Sequence, residues 1–207
     1  MNRIITISRE FGSGGREIGK RLADITGFDY YDNEIISAIA QNKGLNADYV
    51  ETVLKDHGWQ KYPVNYRHSF YSPVYAQNGK VELLLEQKKV IENIAKMEKS
   101  CIIVGRNADV LLKNYSPFNI FVCADMEAKW LRCRQRAPED ENLTERELIK
   151  KIKQIDKMRT QTRAILSESP WGDKSAYHMT VNTTDWNIKD LAPAVADFAE
   201  SWFGRTK

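Results

Sequence analysis

Ile5-Thr-Ile-Ser-Arg-Glu-Phe-Gly-Ser-Gly-Gly-Arg-Glu-Ile18 joins three local signals that together point to one kind of fold. The run Arg3-Ile-Ile-Thr-Ile-Ser8 is nearly continuous, apolar and β-branched, as in a strand buried on both faces. It stops at a glycine-rich turn, Gly12-Ser-Gly-Gly15. Beyond the turn Ile18, Leu22 and Ile25 recur at helical spacing until Gly27 ends the pattern. A strand that enters a helix through such a turn aims backbone N–H groups and the positive end of the helix at one place, which suits an anion.

Working outward, Phe28-Asp-Tyr-Tyr31 predicts a short strand closed by Asp32, and Ile35, Ile36, Ile39 and Ala40 share a helical face. Residues from about 46 to 79 break this rhythm. Val50, Val53 and Leu54 predict a small helix there, followed by an aromatic stretch from Trp59 to Tyr75 that reads as an insertion off the sheet. A long helix (Val81, Leu84, Gln87, Ile91, Ile94) precedes a buried strand, Cys101-Ile-Ile-Val104, which closes on Gly105-Arg-Asn107. Phe118 to Ala124 is a fourth strand, and Asp125 is placed to cap the helix that carries Trp130, Leu131 and Arg132. Thr144-x-x-Glu147 is a capping box opening the longest helix, to about Leu166. After the loop Ser169-Pro-Trp-Gly-Asp173, Tyr177, Met179 and Val181 alternate as in a strand. The final helix bears Val195, Phe198 and Trp202, and Pro193 is expected to distort it or delay its start. Strands separated by helices predict an α/β fold with a five-stranded, mostly parallel sheet.

Composition narrows the functional classes. The 207 residues are 42% hydrophobic and 29% charged, the profile of one globular domain and not of a disordered or low-complexity chain. The net charge of +3, from 31 basic and 28 acidic residues, is too small for a nucleic-acid-binding face, so no nucleic-acid polymer is expected as partner. No apolar run reaches the ~20 residues that span a bilayer. The first ten residues, MNRIITISRE, carry charges where a signal peptide needs an apolar core, so no membrane association and a cytoplasmic location are expected. Cys101, Cys123 and Cys133 are an odd count without C-x-x-C spacing and are expected as packed thiols. His57, His68 and His178 lack metal-ligand spacing. The aromatics from Trp59 to Tyr75, with Lys61, Arg67 and His68, have the makings of a nucleic-acid stacking surface. Packing over a substrate site, or a contact between two copies in a homodimer, is the favoured reading.

Two phosphate-binding loops compete for the glycines. A dinucleotide G-x-G-x-x-G would use Gly12 and Gly14 but meets Glu17 at its third glycine, although Asp32 stands 20 residues after Gly12, where a ribose-binding acid would be. The literal G-x-x-x-x-G-K match from Gly14 to Lys20 has Arg21 at the Ser/Thr and puts Lys20 inside the helix. Aligned by the strand end instead, Gly14 takes the motif's second glycine, Gly15 the lysine and Arg16 the Ser/Thr.

Over nearly its whole length the chain resembles the cytidylate-kinase-like group of P-loop nucleoside monophosphate kinases. The resemblance is carried by Ile5 to Ile18, Tyr31-Asp-Asn-Glu-Ile-Ile36, Val104-Gly-Arg-Asn-Ala-Asp109, Ile155-Asp-Lys-Met-Arg159, and Trp171-Gly-Asp with Tyr177 and Val181-Asn-Thr183. It implies a three-layer P-loop NTPase fold in a single kinase domain. The core would be about 1–45, 80–126 and 175–207, with an acceptor-binding insertion at about 46–79 and a helical lid at about 127–174. It also implies transfer of a phosphoryl group from ATP, with Mg2+, to a nucleoside monophosphate, CMP or dCMP. By the same resemblance Gly12, Ser13, Gly14, Gly15 and Arg16 form the ATP phosphate cradle, and Asn182 and Thr183 lie near the ATP base. Asp32, Arg106 and Asn107 match the acceptor side. The departures are Gly15 in place of the P-loop lysine and Val104 in place of an acid before Gly-Arg. Arg16 is the nearest cation to stand in for that lysine. Glu10, Glu17 and Asp109 are candidate magnesium ligands by proximity, though none holds a recognised ligand position.

The arginines can be read without the family. On the long helix Leu148, Ile152, Ile155, Thr162 and Leu166 form one stripe with Arg159 in its middle, flanked by Asp156 and Arg163. A guanidinium facing the protein needs a carboxylate, an anion or a cleft. Phosphoryl transfer needs positive charge around the moving group, which makes Arg159, Arg132 and Arg136 candidate catalytic arginines beside Arg16. Rival expectations are the same fold with another small acceptor, a nucleotide-binding regulatory protein that has lost transfer, and a dinucleotide enzyme.

Overall fold

The computed structural model describes residues 2–32, 79–137 and 143–205, and of residues 79–84 the backbone alone. β1 (Ile4–Arg9) runs through the glycine turn into α1 (Gly15–Thr26), and β2 (Asp29–Tyr31) follows. Then come α2 (Gly79–Lys96), β3 (Cys101–Val104), the short α3 (Ala108–Leu111), β4 (Phe118–Cys123) and α4 (Met126–Gln135). α5 (Glu145–Leu166), β5 (Met179–Asn182) and α6 (Ile188–Arg205) complete the described elements. The helices expected at Ile35–Ala40 and Val50–Leu54, and the aromatic insertion with His57 and His68, lie outside the described residues.

The strands make one sheet in the order β2-β3-β1-β4-β5, and each pairing is parallel. β1 is central because its residues are the ones that tolerate burial on both faces: Ile4, Ile5, Ile7 and Thr6 are each 2% exposed or less. With all strands parallel, the loops that follow β1, β2, β3, β4 and β5 leave the same edge of the sheet, where ligands of open α/β folds bind. α1 lies close to β1 and β3. A Cβ at Gly19 would stand 2.8 Å from Val104 Cγ2, so the glycine sets how near the helix comes. α1 also packs along α6.

A second, smaller core sits beyond that edge. Phe11, Cys133, Leu148 and Ile152 are buried together, with Met126, Trp130 and Ile155 against them, so α4 and α5 are tied to the loop after β1 by apolar contact. The expected caps are present: Asp125 accepts from the Ala128 N–H at 2.7 Å, and Thr144 and Glu147 form a reciprocal capping box. Some expectations need correction. Ile25 is 51% and Phe198 46% exposed, because Ile25 sits in the last turn of α1 and Phe198 covers only the rim of the Phe118 ring cluster. α6 starts at Ile188 with Pro193 inside it, so its start is not delayed. Pro193 and Lys189 are both exposed, so the carbonyl that loses its N–H partner faces water.

Phe118 anchors the opposite edge of the sheet. It is fully buried, with ring centroids of Trp202, Phe198 and His178 at 5.2, 5.9 and 5.9 Å. His178 Nδ1 accepts from the Asn119 N–H at 2.9 Å, and burial pushes its pKa below the usual 6.5. Phe118→Ala is expected to cost about 3–5 kcal/mol in urea denaturation. Below the ordinary histidine pKa the unfolded chain takes up the proton first, so the stability His178 carries is present above that pH and lost as pH falls through it. The denaturation midpoint should drop between about pH 7.5 and about pH 5.5, and His178→Phe should flatten part of that drop.

Candidate active site

The site grows from the backbone after β1. Gly12 and Gly14 have φ of +80° and +83°, a conformation that needs glycine, and Gly14 is the N-cap of α1 with no side chain capping the helix. The first N–H groups of α1 are therefore left for a ligand. Ser13 is fully buried and its hydroxyl donates to the Glu10 carbonyl at 2.8 Å, which closes the loop on itself. α4 lies directly on this loop, since a Cβ at Gly12 would be 2.8 Å from the Lys129 carbonyl and 3.0 Å from Cys133 Sγ. Desolvation pushes the Cys133 thiol up to about 12, so it is a packing group.

Thr183, fully buried at the end of β5, links three elements. Its hydroxyl donates to the Ser13 carbonyl at 2.7 Å and accepts from Arg132 Nη1 at 3.0 Å. Arg132 also donates to the carbonyls of Thr183 and Trp186. Thr183 thus reaches the glycine loop, whereas Arg132 holds the β5–α6 turn. Asn182 is exposed, its Oδ1 accepting from the Thr184 N–H at 3.1 Å. Arg136 is ion-paired with Glu17 of α1, and Glu17 also pairs with Arg21 at 2.8 Å.

α5 is pinned to the same loop by its polar face. Asp156 accepts from the Phe11 N–H at 2.8 Å, and Arg159 donates to the Arg9 carbonyl at 2.8 Å and to Asp156 at 3.0 Å. The Arg159 guanidinium lies 5.7 Å from the Phe11 ring centre. Burial pushes the Arg159 pKa down, with Asp156 opposing the shift, and burial pushes the Asp156 carboxyl up against the pull of Arg159. Arg163, one turn further along, forms a fully buried ion pair with Asp109 and donates to the Ser169 carbonyl at 3.1 Å. Arg163, and not Thr162 or Leu166, is therefore what the stripe buries at that end of α5.

Arg16 is directed at Asp32, with Nη2 2.6 Å from its carboxylate. The residue expected at the phosphates and the one expected at the acceptor are in this way joined across β2 and α1. After β3, Gly105, Arg106 and Asn107 have φ of +84°, +56° and +51° in succession. Two adjacent non-glycine residues in the left-handed region are uncommon, and Asn107 stands there as the N-cap of α3. Among the candidate magnesium ligands, Glu10 is paired with Lys129 at 3.0 Å, Glu17 with Arg136 and Asp109 with Arg163. Among the described residues no group of three acidic, His or Cys side chains could hold a metal ion.

Arg9 and Lys129 escaped the sequence reading. Lys129 is buried between Glu10 and Asp156, at 3.0 and 3.9 Å, and nothing in its helix signals that. Arg9 ends β1 on the face that Ile5 and Ile7 share, and a charge on an otherwise buried face was the available sign. Around it stand Arg159, Arg106 and Arg16, whose charges act on the Arg9 guanidinium.

An all-parallel sheet in this order, with a glycine loop joining its central strand to a helix, is the P-loop fold of small kinases. The chain belongs to the cytidylate kinase-like family, whose model matches residues 4–185. A solved structure of an uncharacterized protein from Eubacterium ventriosum is similar over 97% of this chain and 99% of its own, at TM-score 0.71 and 23% identity. Shikimate kinase from Acinetobacter baumannii, in complex with shikimate, is similar over 100% of this chain and 97% of its own (TM-score 0.53, 15% identity). Shikimate kinase from Bacteroides thetaiotaomicron matches over 96% and 98% (TM-score 0.54, 14% identity). No curated protein matches the chain in sequence. Among the described residues no helix is long and apolar enough to cross a membrane.

The buried Arg163–Asp109 pair makes a measurable demand on the fold. Either single change, Asp109→Asn or Arg163→Met, is expected to cost about 3–5 kcal/mol by leaving a buried partner uncompensated. The double variant should recover much of that loss in a urea-denaturation double-mutant cycle.

Proposed function

We propose that this protein is an ATP-dependent phosphotransferase whose acceptor is a nucleoside monophosphate, CMP or dCMP. The observation that supports it most is the uncapped start of α1 after Gly12 and Gly14, lying at the strand-end edge of a parallel sheet where guanidiniums gather. A polyanion fits that place on two counts: a positive helix end whose first N–H groups no side chain caps, and the guanidinium of Arg9, which has no carboxylate partner among the described residues. In this reading Gly12 to Arg16 cradle the ATP phosphates and Asn182 and Thr183 border the base. Asp32, Arg106 and Asn107 meet the acceptor. Mg2+ arrives with ATP, since the nearby acids are held in ion pairs.

The reaction is an in-line displacement. The bond from the γ-phosphorus to the β,γ-bridging oxygen breaks, a bond to an acceptor phosphate oxygen forms, and ADP leaves. The acceptor phosphate supplies its own attacking oxygen, so no side-chain nucleophile is needed. What the chain supplies is position and charge: Arg159 lies beside the loop, while Arg132 and Arg136 hold α4 over it. A second reading, a small hydroxyl acceptor, draws on the shikimate kinases among the structural neighbours.

The test is ADP release from the purified protein with ATP and magnesium across CMP, dCMP, UMP, AMP, GMP, shikimate and no acceptor. Turnover that depends on CMP or dCMP above the rest is the expected outcome. Turnover with shikimate alone would replace the acceptor, and ATP binding with flat traces throughout would identify a nucleotide-binding protein that does not transfer.

A further inference from the structure

The P-loop lysine is missing at position 15, and the side chain occupying the space beside Gly15 comes from another element. A Cβ on Gly15 would fall 2.6 Å from Arg9 Cβ and 3.0 Å from Arg9 Cγ. A Cβ on Gly105, in the loop after β3, would fall on the Arg9 guanidinium at Nη1. The Arg9 side chain therefore runs from the end of β1 between two loops, past the start of α1, and each loop has a glycine where Arg9 passes. Arg9 is one reason for both glycines, beside the left-handed backbone at Gly105 and the closeness of Val122 to Gly15: a side chain at either position would meet the arginine.

Among the described residues nothing neutralises Arg9. No carboxylate lies within ion-pair distance of it among the described residues, while Arg16 is paired with Asp32, Arg159 with Asp156 and Arg163 with Asp109. Its charged neighbours are three further arginines, Arg159, Arg106 and Arg16. Desolvation and those like charges push its pKa down to about 9, far below an ordinary arginine. A half-buried cation kept among cations, in a channel cleared by two glycines, is poorly placed for stability and well placed for an anion.

We infer that Arg9 is the phosphate-binding cation of this site, supplied by the end of β1 in place of the helix-borne lysine that Gly15 replaces. This rests on the phosphotransferase reading and adds to it the residue that meets the ATP phosphates. The Arg16 side chain, which the loop alignment favours, is ion-paired with Asp32, and Arg16 stays in the cradle through its backbone.

Binding and stability separate this role from a packing role. Equilibrium binding of Mg-ATP and of inorganic tripolyphosphate would be measured by calorimetry for the wild type and for Arg9→Met, Arg9→Lys and Arg16→Met. The thermal midpoint of each protein without ligand would be measured alongside. Arg9→Met keeps the unbranched stem of the side chain and removes the charged guanidinium. It is expected to weaken both ligands at least about tenfold, the loss typical of one charge-assisted contact, while Arg9→Lys restores most of the affinity. The ligand-free midpoint of Arg9→Met should hold or rise, because repulsion from three arginines is relieved. Wild-type affinity in Arg9→Met, or a tenfold loss confined to Arg16→Met, would overturn the assignment of Arg9 and leave the phosphotransferase reading standing. A ligand-free midpoint that falls in Arg9→Met and Arg9→Lys alike, with tripolyphosphate affinity unmoved, would show a packing role instead. A wild-type protein that binds neither Mg-ATP nor tripolyphosphate would overturn the phosphotransferase reading itself.

Discussion

Like charges held close together at one edge of a sheet repel, and the upper half of this molecule is organised around containing that repulsion. Arg16, Arg106 and Arg159 all act on the charge of Arg9 at the ends of β1 and β3 and the start of α1. Asp32 offsets part of the charge at Arg16 and Asp156 part of it at Arg159. Asp156 also accepts from the Phe11 N–H, so the same carboxylate that quiets Arg159 fixes the glycine loop to α5. Among the described residues Arg9 is left without a carboxylate partner where the backbone already presents N–H groups. Electrostatic preorganisation of this sort is costly without a ligand and favourable with one.

The fold was legible because its signals are local. Ile4 to Ile7 can only be a strand buried on both faces, and Ile18 and Leu22 can only cover it as a helix. Caps such as Asp125 and the Thr144–Glu147 box are written in residues three positions apart. The site was legible to the extent that it is backbone: Gly12, Gly14, Gly15 and the Gly105 turn declare themselves by composition. The partners of the arginines were not, because they are decided by approaches between elements far apart in the chain. Arg136 meets Glu17 across 119 positions, Arg132 meets Thr183 across 51, and Asp109 meets Arg163 across 54. No spacing rule reaches that far. Arg9 was missed for a different reason: it ends a strand run that reads as finished before it.

Two apolar clusters divide the labour. The large one, from Ile4 to Ala199, holds the sheet to α1, α2 and α6 and ends at the aromatic rim of Phe118 and Trp202. The small one, around Phe11 and Ile152, sits beneath α4 and α5 and joins them to the glycine loop. Because Phe11 belongs to the loop itself, the loop cannot shift without disturbing the small cluster. Thr183 provides a polar counterpart by tying Ser13 to Arg132. A ligand on the loop would be felt in α4 and α5 through both contacts, whereas the Phe118 end of the molecule lies beyond the reach of either.

The pairing of Arg9 with Gly15 and Gly105 also constrains how such a chain can change over generations. A Cβ at position 15 collides with the Arg9 stem, so a lysine there and an arginine at position 9 exclude each other. Passage between the two solutions needs two substitutions, and each alone leaves either a crowded loop or a site short of a cation. Lineages that have taken one route would be held to it, with the identities at positions 9, 15 and 105 travelling together as a set.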